Sequence, residues 1–343
     1  MSCMDSRALV AEAMHGRATR IPLYFWLADP KLEARVGDIV GVRCWFKRLD
    51  FLETGGPFKR NSETRREWCE RLQPDEYEWP ALDDLITEMD ETVADTLKVK
   101  RTKSFQLEIL GPSEYSEYSC SSGKTLQGRR LDQVSHQFDF SVLTVLDPRK
   151  AEMIHTRFFE LLLEVAKRAT EYDTIDSVRI ADDFCSYAGS VYRPDFSRMI
   201  VQRQVELGQA IIKGGKYSVL HSDGDLTKYL AELVQGYSGL HPLDIKSKST
   251  LADALDWATA LAMVRQLLPD TVFFTGIPVD LLCNSQVSAD ELVEVVKHVI
   301  DAVGPKRLVL TTTHRPYPGC SFGDFEEKAV AIKRFLQASR SSS

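Results

Sequence analysis

Three of the seven histidines stand where a short apolar run gives way to a polar loop: His221 after YSVL, His241 after SGL and His314 after LVLTTT. The same kind of junction carries Asp182 and Asp183 after SVRIA, Asp223 and Asp225 just past His221, Asp244 past His241, and Arg315 and Cys320 past His314. His221 and Asp223 are two positions apart, with Gly224 next to them for a tight turn. On an extended strand end such a pair points the same way. An imidazole and a carboxylate so placed could chelate one zinc, with His314 or Cys320 completing the sphere. The plainer role for Asp223 or Asp225 is to cap the helical stretch that starts near Leu226. Asp182 and Asp183 could form a pair in which one carboxyl keeps the other protonated, fit to act as acid, base or cation ligand. The alternative is one acid facing a ligand and one holding a loop. Arg315, with His314, offers a bidentate fork for a substrate carboxylate or phosphate, or a solvated pair. His241, followed by Pro242, reads as a core histidine. His136, His155 and His298 read as packing or surface residues, and Tyr24, Phe25 and Trp26 as core or pocket wall.

Elements that could position these groups are legible mostly in the second half. Residues 177–184, 217–221, 239–243, 271–277 and 307–313 read as short buried strands running into loops. Between them lie helical stretches: one opened by Pro194 and stopped by Gly214 and Gly215, one over 226–234, and one over 252–268. The clearest has Ser288 and Glu291 as a capping box, an apolar stripe through Leu292, Val295, Val296, Val299, Ile300 and Val303, and Gly304-Pro305 as its stop. A last helix spans 325–336. Strands alternating with helices at this interval imply a parallel sheet with right-handed crossovers. A barrel or an open doubly wound sheet would fit, and five strands in series with no glycine-rich dinucleotide fingerprint favour a (β/α)₈ barrel, one domain over 1–338. In the first half, 21–26 reads as the first barrel strand, 96–110 and 138–146 have strand character, and 45–135 reads as an insertion or cap. Within it, 113–137 is Ser- and Tyr-rich and reads as a mobile loop. Residues 339–343, SRSSS, read as a disordered tail.

A formal net charge of −7 and the absence of a long basic run argue against nucleic acid or an anionic membrane as the main partner. No stretch approaches the roughly 20 apolar residues of a membrane span. The first twenty residues carry charges throughout, with no secretory apolar core. Seven scattered cysteines with no CxxC argue for a reducing, cytoplasmic compartment.

Four segments carry a resemblance to the uroporphyrinogen decarboxylase superfamily, which includes zinc- and corrinoid-linked methyltransferases. ADDFCSYAGSVYRPDFSRMI resembles its double-aspartate loop and the Pro-started helix after it. YSVLHSDGDLTKYLAELVQGYSGLHPLD resembles its histidine strand end and the next strand. ELVEVVKHVIDAVGPKRLVLTTTHR resembles the penultimate helix and last strand, and RIPLYFW the first strand. The resemblance covers most of 175–335 and implies a barrel with a pocket at the strand C-termini, acting on tetrapyrroles or in methyl transfer with a corrinoid protein. The first strand is followed by LADPKLEARVG rather than an arginine cluster that would grip substrate carboxylates, which speaks against uroporphyrinogen decarboxylation. The zinc branch has a His-x-Cys pair and a later cysteine. Here the pair is His221-Ser222-Asp223 and the later position falls near His314, with Cys320 beyond.

The leading expectation is thus a methyltransferase that binds a small methylated substrate and exchanges the methyl group with a corrinoid cofactor on a partner protein. In it His221, Asp223 and His314 or Cys320 hold zinc, Asp182 or Asp183 serves as acid or further ligand with His221 as a catalytic group, and Tyr24, Trp26 and Arg315 line or orient the substrate. A metal-independent decarboxylase or lyase using Asp182 and Asp183 is the second reading. A non-catalytic tetrapyrrole- or corrinoid-binding barrel is the third. A homodimer is compatible with the sequence.

Overall fold

Short runs of apolar residues, buried on both faces, form parallel strands, and eight of them make one sheet in this protein. The computed structural model describes residues 5–27, 29–50, 56–57, 59–60, 62–96, 102–120, 139–317 and 319–338. The strands are β1 (Leu23–Tyr24), β2 (Ile39–Cys44), β3 (Ser104–Leu110), β4 (Ser177–Ala181), β5 (Tyr217–His221), β6 (Gly239–His241), β7 (Val272–Ile277) and β8 (Leu308–Thr312). Every neighbour pairing is parallel, and the order runs β1-β8-β7-β6-β5-β4-β3-β2. The remaining seam, β1 to β2, is bridged by Asp38. Its N–H donates to the Leu23 carbonyl at 2.6 Å and its carboxylate accepts the Leu23 N–H at 3.0 Å. The result is a nearly closed (β/α)₈-type barrel, as the alternation of elements implies.

Two kinds of core result. Tyr24, Trp26, Val219, Phe274 and Val309 pack together inside the barrel. The larger clusters lie between strands and outer helices. Helix Ala289–Val303 illustrates the outer layer. Ser288 and Glu291 form the capping box, Gly304 takes φ 76° just past its end, and Leu292, Val295, Val296, Val299 and Val303 are buried. Each such side chain contributes about 1.5–3 kcal/mol of burial. Helix Pro194–Lys213 starts on Pro194 and ends at Gly214, and helices Leu251–Leu267 and Phe322–Ala338 occupy the other expected stretches. The stretch near 226–234 is a 3₁₀ turn, Thr227–Tyr229, followed by one helical turn, Leu230–Leu233.

The first half corrects several expectations. Strand β2 falls in a stretch the sequence left unassigned, and β3 lies inside 45–135, which is therefore partly barrel wall. Residues 139–146, expected as strand, form helix Asp139–Leu146, with Phe140, Leu143 and Thr144 buried at helical spacing. Packing against helix Pro148–Ala169 overrides the β-branched composition. Within the expected loop 113–137, Pro112–Cys120 is a helix whose small serines let it lie buried against its neighbours. Residues 121–137 (including His136), 97–101 of the expected 96–110 strand, and the tail 339–343 lie outside the described residues. No described helix is long and apolar enough to cross a membrane.

Candidate functional site

The strand ends of β3, β4, β5 and β8 converge on one cavity of about 80 Å³, several water-sized volumes. Sequence-predicted residues Trp26, Asp183, His221, His314 and Arg315 line it. Asp223 stands at its edge: one donor atom each from Asp183, His221 and Asp223 lie within 4.8 Å of one another.

His221 ends β5 and is 4% exposed. Its Nε2 is 3.9 Å from Asp183 Oδ1, and its Nδ1 is 2.6 Å from Nδ1 of His241, its register partner on β6. Asp183 Oδ1 also accepts the Asp223 N–H at 2.7 Å, which draws the two loops together. Burial, then His241 and Arg179, push the His221 pKa well down, which favours the neutral ring. Burial likewise lowers His314. The His314 Nδ1 donates to the Arg315 carbonyl at 2.8 Å. Burial raises Asp223, and the charge of Asp183 adds to the effect.

Trp26 is the hub. Its ring meets those of His221, His314 and His241 edge-on, with centroids 5.1, 5.5 and 5.8 Å away. The Arg179 guanidinium lies 4.2 Å over it. Arg179 pairs closely with Glu108, whose other oxygen accepts the Trp45 indole N–H at 3.2 Å. The Trp26 indole N–H is buried and has no acceptor among the described residues, which marks it as a donor for something else.

Three predicted residues stand elsewhere. Asp182 is fully buried behind the rim and accepts the Glu114 N–H at 2.8 Å and the Gln204 amide. Gly111 makes room for it, since a Cβ there would come within 2.3 Å of Asp182. Of the adjacent acids, Asp182 is thus the one that holds a loop and Asp183 the one that faces the cavity. Tyr24 lies deeper in the barrel against Arg43, its hydroxyl 3.4 Å from the guanidinium and, through burial, raised to about 12. Cys320 sits beside Cys283 and does not join the group at His221.

Sequence reading missed Trp45, Glu108, Glu114, Tyr118 and Arg179. Glu114, in the first turn of the helix after β3, accepts the Asp183 N–H at 3.3 Å. Burial, then the Asp183 charge, raise its carboxyl well above the usual range, with Tyr118 hydrogen-bonded to it. Arg179 had a visible signal, a lone charge in the apolar run SVRIA. Glu108 shares a strand face with Gln106 and Leu110. Trp45 and Glu114 followed strands that had not been recognised as barrel strands.

No protein-family model and no curated protein matches the chain. Among solved structures, a methyltransferase from Methanosarcina mazei superposes with a TM-score of 0.62 at 13% identity, covering 97% of this chain and 99% of that one. A B12-independent methionine synthase from Shewanella sp. W3-18-1 gives 0.45 at 12% identity over 78% and 69% of the two chains. A modular endo-beta-1,4-mannanase from Cellulomonas fimi gives 0.45 at 13% over 96% and 74%. At these identities the likeness is one of fold, and this chain shares its barrel with the Methanosarcina mazei protein over nearly the whole length of both.

Proposed function

We propose that this protein is a methyltransferase of the uroporphyrinogen decarboxylase type. It would move a methyl group between a small methylated substrate in the barrel mouth and a corrinoid cofactor carried by a separate protein, with zinc or a similar divalent ion at the rim. The observation that carries the reading is the gathering of Asp183, His221 and Asp223 donor atoms within 4.8 Å, on the face where barrels of this kind place their chemistry.

The donor set fits a metal. Two carboxylates and a neutral imidazole match a three-ligand site that keeps an open position. A cation between Asp183 and Asp223 would offset the repulsion that raises Asp223. His314 is near enough to act on His221 electrostatically and stands as a candidate fourth ligand. An oxygen- and nitrogen-rich set is harder than a thiolate-rich one. When bound, such an ion supplies Lewis-acid polarisation of the heteroatom that carries or receives the methyl group.

The chain's own residues would do the rest. The Trp26 indole N–H and the Arg315 guanidinium offer donors to the substrate. When a methyl group leaves a heteroatom, the bonding pair stays behind, and Glu114, whose carboxyl burial and the Asp183 charge push toward its protonated form, is placed to neutralise that atom. The cavity, about 80 Å³ among the described residues, is well below the roughly 300–1,000 Å³ of pockets that enclose a drug-sized ligand. A corrinoid ring would lie across the mouth, which supports its delivery by a partner.

The test is methyl exchange between methylcobalamin and a panel of small thiols, amines and alcohols, followed by cobalamin absorbance. Turnover that stops on chelation and returns with zinc is expected. No turnover with any member of the panel by zinc-loaded protein would overturn the reading. A metal-independent decarboxylase or lyase is the second reading, favoured by the upward shift of the Glu114 carboxyl. Turnover of a small carboxylic acid that persists in a chelator would select it.

A further inference from the structure

Strands β5 and β6 bring two imidazoles into contact, and the protons between them can be counted. His241 Nε2 lies 3.0 Å from the Thr312 carbonyl oxygen. A carbonyl only accepts, so His241 carries a proton on Nε2. The two Nδ1 atoms are 2.6 Å apart, a contact that needs one proton between them. A neutral His241 protonated on Nε2 has a bare Nδ1, so the shared proton belongs to His221. Both rings are buried in the barrel interior, where a second proton on either would leave a desolvated charge. His221 therefore bears its proton on Nδ1 and presents a bare Nε2, the nitrogen nearest Asp183. Trp26 packs edge-on against both rings.

We propose that His241 is a positioning residue: anchored on the Thr312 carbonyl, it fixes the ring orientation and tautomer of His221 so that the Nε2 lone pair faces the cavity beside Asp183 and Asp223. A flipped His221 ring would set a C–H against His241 Nδ1 and lose the hydrogen bond. The arrangement supplies the outer contact that holds an imidazole ready for a metal. What Nε2 binds rests on the function proposed above, whereas the tautomer does not.

The test uses ¹⁵N-histidine NMR of the metal-free full chain, with zinc titration of the same samples. Wild type should show His221 as the Nδ1–H tautomer. H241L, which removes the acceptor, should lose that signature and bind zinc about 10–100-fold more weakly. H241N, whose side-chain oxygen can stand where Nδ1 stood, should restore both to within a few-fold. An Nε2–H tautomer at His221 in wild type, a measurement that needs no variant, overturns the proposal. So does an unchanged His221 signature in H241L. The expected tautomer in protein that binds no zinc supports the relay and removes the metal reading instead.

Discussion

His221 and Asp183 come from the ends of neighbouring strands, β5 and β4, and His221 Nε2 stands 3.9 Å from Asp183 Oδ1. Asp183 is held there from two sides. Its Oδ1 takes the Asp223 N–H, and its own N–H goes to Glu114. Three loops are thereby tied at one point, and each tie can be tested separately.

Glu114 is the proton store of the proposed chemistry. E114Q keeps the shape and hydrogen-bonding capacity of the side chain but has no acidic proton. Turnover should fall by about 10²–10⁴-fold, with zinc content unchanged. Steady-state kinetics beside metal analysis checks this. Wild-type turnover in E114Q would remove Glu114 from the mechanism.

Glu108 and Arg179 form an ion pair sealed in the barrel, at 2% and 1% exposure. Removing one partner leaves a buried charge alone. E108Q or R179M should each destabilise the fold by about 3–5 kcal/mol, and the double variant should cost less than the sum of the two. Urea unfolding of the four proteins decides the matter. Strict additivity would mean the two charges stabilise the fold independently.

His155 gives a pH prediction clear of the candidate site. It is fully buried between Ser113 and Arg203, and burial, then the Arg203 charge, push its pKa well below 6.5. A histidine depressed on folding contributes stability that is full above its unfolded value and is lost as pH falls beneath it. The thermal unfolding midpoint should therefore drop below about pH 6.5. Buried acids such as Glu117 and Asp182, each raised to about 7, act in the opposite sense, because a carboxyl raised on folding loses stability as pH rises. Comparison of wild type with H155Q cancels these acids. The variant should show the shallower acid limb. Parallel curves would contradict the assignment.

Gly208 tests the packing behind the site. A Cβ there would come within 2.1 Å of the Gly236 carbonyl oxygen, in the turn that leads into β6. G208A should lower stability by about 1–3 kcal/mol through overpacking. A neutral effect would show that the turn yields freely.

Much of the second half was legible because each strand there is a short apolar run with a polar end and the clearest helices carry local start and stop residues. Ser288 with Glu291, and Pro194 with Gly214, mark their helices by local chemistry alone. Loops after those strands then name Asp183, His221, Asp223, His314 and Arg315. The first half resisted because tertiary contacts set its structure. Phe140, Leu143 and Thr144 suit a strand by composition and become helical by packing. Without β2 and β3 in place, Trp45, Glu108 and Glu114 could not be assigned to the same rim. Cys320 looked like a ligand from its place after His314, yet it lies beside Cys283. His241 looked like a core residue and is one, but its core contacts are with His221 and Thr312.

The most direct check of the metal site is elemental analysis of the protein as purified and after zinc loading, with H221A and D223N treated alike. The proposed site requires about one zinc per chain in wild type and at least roughly tenfold weaker retention in either variant, since losing a ligand should cost no less than losing an outer contact. Equal zinc in all three proteins, or none in any, would contradict it.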